Sequence, residues 1–144
     1  MEMVMECMAS VKSFNDILGN LDKPVNFNLE YDLMKEEVLE YFEGGQKEDE
    51  KEMQDALADE FVIWWGTVLK HGWADKVFKI IRAVCESNMT KFCETQEEAE
   101  ESVTRYTAQG IPTRWEYNEK YKLYVIFNMS GKGMKGINYM PPQF

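Results

Sequence analysis

The stretch Met34–Gly66, MKEEVLEYFEGGQKEDEKEMQDALADEFVIWWG, places carboxylates at helical spacing along two consecutive, otherwise apolar segments. The first segment carries three glutamates and the second carries two aspartates: Glu36, Glu37, Glu40, Asp55 and Asp59. Residues three or four apart share one helix face, and like charges at that spacing repel by about 0.2–0.5 kcal/mol per pair. Two acidic faces on helices that pack together predict an oxygen-lined site for Mg²⁺, and the alternative is two solvated faces.

Composition predicts one globular domain. The 144 residues are 44% hydrophobic and 13% aromatic, which suffices for one core but not comfortably for two. The net charge of −10 argues against nonspecific binding to nucleic acid or to an anionic membrane, since both require a basic surface. Three cysteines without metal-ligand spacing predict reduced thiols and a cytoplasmic location: Cys7, Cys85 and Cys93. No apolar run approaches about 18 residues, and the N-terminus lacks the basic start of a signal peptide.

Apolar spacings of three and four predict four helices, at Met1–Leu18, Leu29–Glu43, Asp49–Lys70 and Trp73–Lys91. We expect Asn28 to cap the second helix and Gly44-Gly45 to end it. Thr95 begins a capping-box sequence, T-Q-E-E, for a fifth helix that runs to about Gln109. The first helix has an apolar face suited to a core or a subunit interface: Val4, Cys7, Met8, Val11, Phe14, Ile17 and Leu18.

The apolar period changes to two after the fifth helix. Thr113–Tyr117 and Tyr121–Asn128 are expected to form the arms of a β-hairpin. The segment Ser130–Phe144, SGKGMKGINYMPPQF, is glycine-rich and basic, and we predict a loop or tail there. The expected fold class is mainly α. A helical core in residues 1–93 is followed by a C-terminal helix, hairpin and basic tail in residues 94–144, packed as part of the same domain.

Three motifs resemble the all-α nucleoside triphosphate pyrophosphohydrolases, the superfamily of MazG proteins, dimeric dUTPases and phosphoribosyl-ATP pyrophosphohydrolases. The acidic motif combines E-E-x-x-E at Glu36–Glu40 with D-A-L-A-D at the start of Asp55–Thr67. The others are S-N-M-T-K at Ser87–Lys91 and G-K-x-x-K-x-x-x-Y-x-P-P at Gly131–Pro142. In this order they look like the small MazG-like, phosphoribosyl-ATP-pyrophosphohydrolase-like proteins common in bacteriophages.

The resemblance covers about Leu29–Phe92 plus the tail, and Thr95–Asn128 looks like an insertion between them. It implies a four-helix MazG-like core with the fifth helix and hairpin appended. It also implies a homodimer or homotetramer in the cytoplasm of a bacterial or phage-infected host cell, with a nucleotide as substrate.

The activity that the resemblance implies is Mg²⁺-dependent hydrolysis of a (deoxy)nucleoside triphosphate to the monophosphate and pyrophosphate, with Mn²⁺ as a possible substitute. Water attacks the α-phosphorus in this reaction. The implied metal ligands are Glu37, Glu40, Asp55 and Asp59. The implied catalytic residues are Glu36, Glu37, Glu40 and Asp59, with Glu36 as a further ligand or as the group that orients the water. The implied substrate-binding residues are Asn88, Lys91, Lys132, Lys135 and Tyr139.

One position departs from the family pattern. Many members have E-x-x-D on the second helix, but the glutamate position is Ala56 here and the acid is Asp55, about 100° round the helix. Two alternative functions therefore stay open. One is a nucleotide-binding or sequestering protein with poor turnover, and the other is a phage-type interaction protein on a helical scaffold. Simpler roles also remain for Asn88 as a helix cap and for Lys91 as a partner of the helix dipole.

Overall fold

The computed structural model describes residues 1–144, and most of them are helical. The helices are α1 (Glu2–Ile17), α2 (Phe27–Lys47), α3 (Glu50–Lys70), α4 (Ala74–Met89) and α5 (Gln96–Ala108). An antiparallel sheet follows in the order β1 (Thr113–Asn118), β2 (Leu123–Asn128) and β3 (Gly133–Met134). The prediction of a mainly α protein with a C-terminal helix and hairpin is confirmed, and the two-residue strand β3 is an addition to it. No helix has both the length and the apolar character needed to cross a bilayer.

The chain forms two compact units, Met1–Val77 and Phe78–Phe144. The first contains α1, α2, α3 and the start of α4. The second contains the rest of α4, then α5 and the sheet.

The first unit is built on a helical hairpin of α2 and α3. Asn26 rather than Asn28 caps α2, because its side-chain oxygen accepts a hydrogen bond from Leu29 N at 3.2 Å. The expectation that Gly44-Gly45 ends α2 is wrong, since the helix continues to Lys47. Gly44 instead permits close packing, because a Cβ there would lie 3.1 Å from Met53 Cγ and 3.2 Å from Met53 N.

The core of the first unit joins α1 to α3. Met8 and Val11 pack with Trp65 and Val68, and Val77 completes the buried cluster. The Trp65 indole N–H also donates to the Met8 carbonyl at 3.1 Å, so the ring is held by a hydrogen bond as well as by apolar burial. This cluster fixes α1 against α3.

Much of the predicted apolar face of α1 stays exposed. Val4, Phe14 and Ile17 retain 54%, 56% and 83% of their accessible surface, although the sequence places them with Met8 and Val11. Only one stripe of α1 is buried within the chain, so its spacing predicts an apolar face without specifying what covers it.

The second unit packs α5 against the sheet. The capping box at Thr95 is present, with Thr95 Oγ1 accepting from Glu98 N at 3.2 Å. Strands β1 and β2 pair from Thr113 opposite Asn128 to Asn118 opposite Leu123. The buried cluster of this unit consists of Cys93, Ala99, Tyr106 and Ile126.

Candidate functional site

The α2–α3 hairpin is antiparallel, and this brings the two acidic motifs side by side. Near its open end Glu30 contacts Thr67 and Lys70, whereas near its turn Gly44 packs on Met53. The middle of α2, with Glu36, Glu37 and Glu40, therefore faces the part of α3 with Asp55 and Asp59. The sequence prediction that these carboxylates lie on facing helices matches this arrangement.

Glu37 lies at the centre of this carboxylate cluster. Burial, followed by the negative charges of Glu40, Asp59, Glu36 and Asp55, raises the pKa of Glu37 above its ordinary value of 4.5. Its Oε2 atom is buried and has no hydrogen-bond partner. A buried carboxylate oxygen without a donor costs free energy, and a cation at this point would offset that cost.

The donor chemistry of the cluster fits Mg²⁺, which takes carboxylate oxygens and retains several waters. The side chains do not form a ready-made cage, because no three His, Cys, Asp or Glu groups are placed to hold a metal ion together. Glu36, Glu40, Asp55 and Asp59 are exposed, and only Glu37 is partly buried. The unpartnered oxygen of Glu37 is the feature of this structure that points to a cation.

Ala56 occupies the position where many members of the resembled family carry an acid. It is 1% exposed and lies on the buried side of α3, between the exposed Asp55 and Asp59. A carboxylate at this position would have to be desolvated inside the hairpin. The two α3 carboxylates, Asp55 and Asp59, therefore lie at the solvent-exposed edge of the seam, which is the contact between α2 and α3.

The second unit brings the S-N-M-T-K motif and the C-terminal tail together. The single O–H of Ser87 is shared between two acceptors, the Met140 carbonyl at 2.8 Å and Tyr139 Oη at 3.3 Å. Thr90 Oγ1 accepts from Met140 N at 2.9 Å. Gly136 N donates to the Lys91 carbonyl at 2.8 Å. A Cβ on Gly136 would lie 2.8 Å from that oxygen, so only glycine permits this approach. The predicted loop is therefore an ordered segment held against the end of α4.

The tail also contacts α5. Ile137 N donates to the buried Ser102 Oγ at 2.8 Å, and Tyr106 Oη donates to the Lys135 carbonyl at 3.0 Å. These bonds fix the backbone at Lys135 and Ile137, on both sides of Gly136. They thereby also orient the Lys135 side chain.

Three of the predicted substrate-binding residues form a cationic cluster in this unit. Lys135 Nζ lies 4.2 Å from the centroid of the Tyr139 ring, a cation–π distance. A hydrogen bond with Ser87, together with the positive charges of Lys135 and Lys91, lowers the pKa of Tyr139 despite the opposing effect of burial. A phenol of lowered pKa beside two ammonium groups is suited to binding an anion.

The other two predicted substrate-binding residues lie outside these contacts. Asn88 is exposed near the end of α4, where its carbonyl accepts from Lys91 N at 3.2 Å. Lys132 is exposed in the turn between β2 and β3, where its N–H donates to Asn128 Oδ1 at 2.8 Å.

Sequence reasoning missed a buried ion pair in the first unit. Glu30 Oε1 is 2.5 Å from Lys70 Nζ, and Glu30 Oε2 accepts a hydrogen bond from Thr67. Burial raises the pKa of Glu30, but the hydrogen bonds from Lys70 and Thr67 outweigh it, so the net shift is downward. The two residues are 40 positions apart, so only the antiparallel pairing of α2 and α3 could have indicated the contact.

Comparison of the chain with protein-family models, with curated proteins and with solved structures gave no match.

Proposed function

We propose that the protein is a nucleoside triphosphate pyrophosphohydrolase of the MazG-like type, which converts a (deoxy)nucleoside triphosphate and water into the monophosphate and pyrophosphate. The observation that carries the proposal is the environment of Glu37. Burial, followed by the charges of four further carboxylates, raises its pKa, and one of its oxygens is buried without a donor. A divalent cation is the partner that this arrangement fits.

Glu37, Glu40, Asp55 and Asp59 would hold Mg²⁺, or Mn²⁺ in its place. When bound, the cation neutralises phosphate charge and lowers the pKa of a coordinated water. Glu36 is exposed on α2 beside Glu37, and we assign it the orientation of the attacking water. Its carboxylate would accept a proton from that water as the water approaches the α-phosphorus.

The cationic cluster of the second unit, with Lys91, Lys135 and Tyr139, would bind phosphate oxygens. Two ammonium groups supply charge, and the Tyr139 hydroxyl, whose pKa is lowered, supplies a directional hydrogen bond. We retain Asn88 and Lys132 as substrate-binding residues on the strength of the motif resemblance alone.

We also propose that the first unit associates with further copies as a homodimer or homotetramer. Support comes from apolar side chains of α2 that are more than half exposed, as on α1: Phe27, Tyr31, Val38 and Phe42. A monomer seldom leaves so much apolar helix surface in water. Sedimentation velocity would show a single species of two or four chains, and a monomer at micromolar concentration would refute association.

The burial of Ala56 favours a second candidate, nucleotide binding with poor turnover. The acid expected at this position would be on the buried side of α3, and the residues present leave the seam without a preformed three-ligand group. Tight binding of a nucleotide without pyrophosphate release would establish this alternative.

The decisive experiment is an assay of pyrophosphate release from a panel of ribo- and deoxyribonucleoside triphosphates, with Mg²⁺ and with chelator. Glu40→Gln removes one cluster carboxylate, and Glu43→Gln is the matched control because Glu43 pairs with Lys47 on the surface of the same helix. We expect metal-dependent release that Glu40→Gln abolishes and Glu43→Gln preserves. Release from no member of the panel would refute the hydrolase proposal.

A further inference from the structure

A cleft of about 410 Å³ lies between α1, α2 and α3, entirely within the first unit. Its apolar lining includes Phe14, Leu33 and Ile63, and its polar lining includes Asn15 and Lys70. This volume and this mixture of apolar walls with a few polar groups are typical of small-molecule sites.

The Asn15 amide is the first polar group of the cleft with unused hydrogen-bonding capacity. The residue is 4% exposed, its Oδ1 accepts from Asn20 Nδ2 at 3.3 Å, and its Nδ2 donates to the Val11 carbonyl at 3.0 Å. The second N–H of Nδ2 has no acceptor within the chain. Because the amide oxygen is already engaged, Asn15 offers a donor, and a ligand carbonyl would satisfy it.

Lys70 is the second such group. Its Nζ lies 2.5 Å from Glu30 Oε1, and both side chains are largely buried. The paired carboxylate offsets the ammonium charge, so the lining does not attract a free anion strongly. The remaining N–H bonds of Nζ can still donate to a neutral acceptor.

The position of the cleft indicates which molecule would enter it. Leu33 lies one helical turn before Glu37 on α2, and Ile63 lies one turn after Asp59 on α3. Four residues of helix span about 6 Å, so the cleft adjoins the carboxylate cluster along the same seam. A ligand whose phosphates reach the carboxylates would place its other end here.

We propose that this cleft binds an uncharged heteroaromatic ring bearing a carbonyl oxygen, and that this ring, if the proposed function holds, is the base of the nucleotide substrate. The apolar side chains enclose the faces of the ring, and Asn15 and Lys70 donate to its carbonyl edge.

Gly66, which has no Cβ, leaves room for the Asn15 amide. A Cβ at this position would lie 3.1 Å from Asn15 Nδ2, so Gly66→Ala displaces the amide by a few tenths of an ångström. Alanine also favours the helix more than glycine does, so the variant is expected to fold. Gly45→Ala is the matched control, because its Cβ would make an ordinary 3.6 Å contact with Met53 Sδ.

The test uses nucleosides, which carry the base but no phosphate. Uridine, thymidine, cytidine, adenosine and guanosine are titrated into the whole protein while the side-chain amide NMR signals of Asn15 and Asn20 are followed. Adenosine is the control, because its base has no carbonyl oxygen. We expect at least one of the other four nucleosides to shift both signals in wild type, Glu40→Gln and Gly45→Ala alike, and adenosine to bind more weakly. Gly66→Ala and Asn15→Leu are expected to weaken that binding at least tenfold.

The proposal is overturned if no nucleoside shifts these signals or if adenosine binds as well as the nucleosides whose bases carry a carbonyl. It is also overturned if ribose or indole binds as well as those nucleosides, or if Gly66→Ala binds like Gly45→Ala. Pyrophosphate release measured on the same samples separates the two proposals. Nucleoside binding without release would leave the cleft assignment standing and refute the hydrolase, whereas release without nucleoside binding would do the reverse.

Discussion

Replacing Glu37 by methionine is expected to stabilise the metal-free protein by about 2 kcal/mol at neutral pH. Burial of the charge, together with repulsion of a few tenths of a kcal/mol from each surrounding carboxylate, contributes about 1 kcal/mol. The unpartnered Oε2 contributes at least about 1 kcal/mol more, the usual cost of a buried unsatisfied acceptor. Methionine has a similar shape and removes both penalties, whereas Glu37→Gln removes only the charge penalty and should gain about 1 kcal/mol.

Thermal and urea unfolding with and without Mg²⁺ measure this effect. In a chain of this size the methionine variant should melt about 7 °C higher than wild type without metal. Wild type should be stabilised by Mg²⁺, by about 2.7 kcal/mol when the free ion is at 100 times its Kd, and the variant should not respond.

The stability gain of Glu37→Met should depend on pH, because part of the gain comes from removing a charge. Because the folded pKa of Glu37 is raised, the charge penalty is present at neutral pH, shrinks as the pH falls through the folded pKa, and is absent below the unfolded value near 4.5. The gain in Glu37→Met should therefore fall in acid to the part due to the unpartnered oxygen. A variant less stable than wild type at pH 7, or a gain equal at pH 3 and pH 7, would refute this account. Glu43→Met, at an exposed surface pair, should change stability by no more than about 0.5 kcal/mol.

The remaining predictions concern the ion pair and the tail. Glu30→Gln should lower the free energy of unfolding by about 3–5 kcal/mol, because it leaves Lys70 buried without its carboxylate. Because the pKa of Glu30 is lowered, its stabilisation should be full above its unfolded pKa and lost as the pH falls through its folded pKa; urea midpoints measured from pH 7 to pH 3 would show this. Gly136→Ala should release the tail, seen as faster amide exchange there, because a Cβ would meet backbone at 2.8 Å. Ser87→Ala should raise the pKa of Tyr139 in a spectrophotometric titration, and an unchanged titration would contradict the assigned hydrogen bond.

The local elements were predictable because their signals lie within a few residues. The capping box at Thr95 and the alternation in β2 each depend on neighbours in sequence, and both occur in the structure. The end of α2 was not predictable from Gly44-Gly45 alone. A glycine pair that permits close helix packing and one that ends a helix look the same until the partner helix is placed.

In the candidate site, too, the sequence predicted the local features but not the contacts between distant residues. Helical spacing predicted the facing carboxylates of α2 and α3, because the spacing is local and the short connection makes the two helices antiparallel. The buried pair of Glu30 with Lys70 and the tail anchored on Ser87 join residues 40 and 52 positions apart. Residues so far apart in sequence give no periodic pattern. The sequence of the tail therefore predicted only a loop and not its contacts with Ser87 and Lys91.

The two units should also form at different rates during folding, as a consequence of how far apart their anchoring contacts lie along the chain. Lys47 and Glu52 close the helical hairpin over five residues, whereas Ser87 and Tyr139 close a loop of 52. Loop-closure entropy disfavours the longer loop by about 2 kcal/mol relative to the shorter one. The hairpin of α2 and α3 can therefore form early in folding, and the contacts between Ser87 and Tyr139 form later.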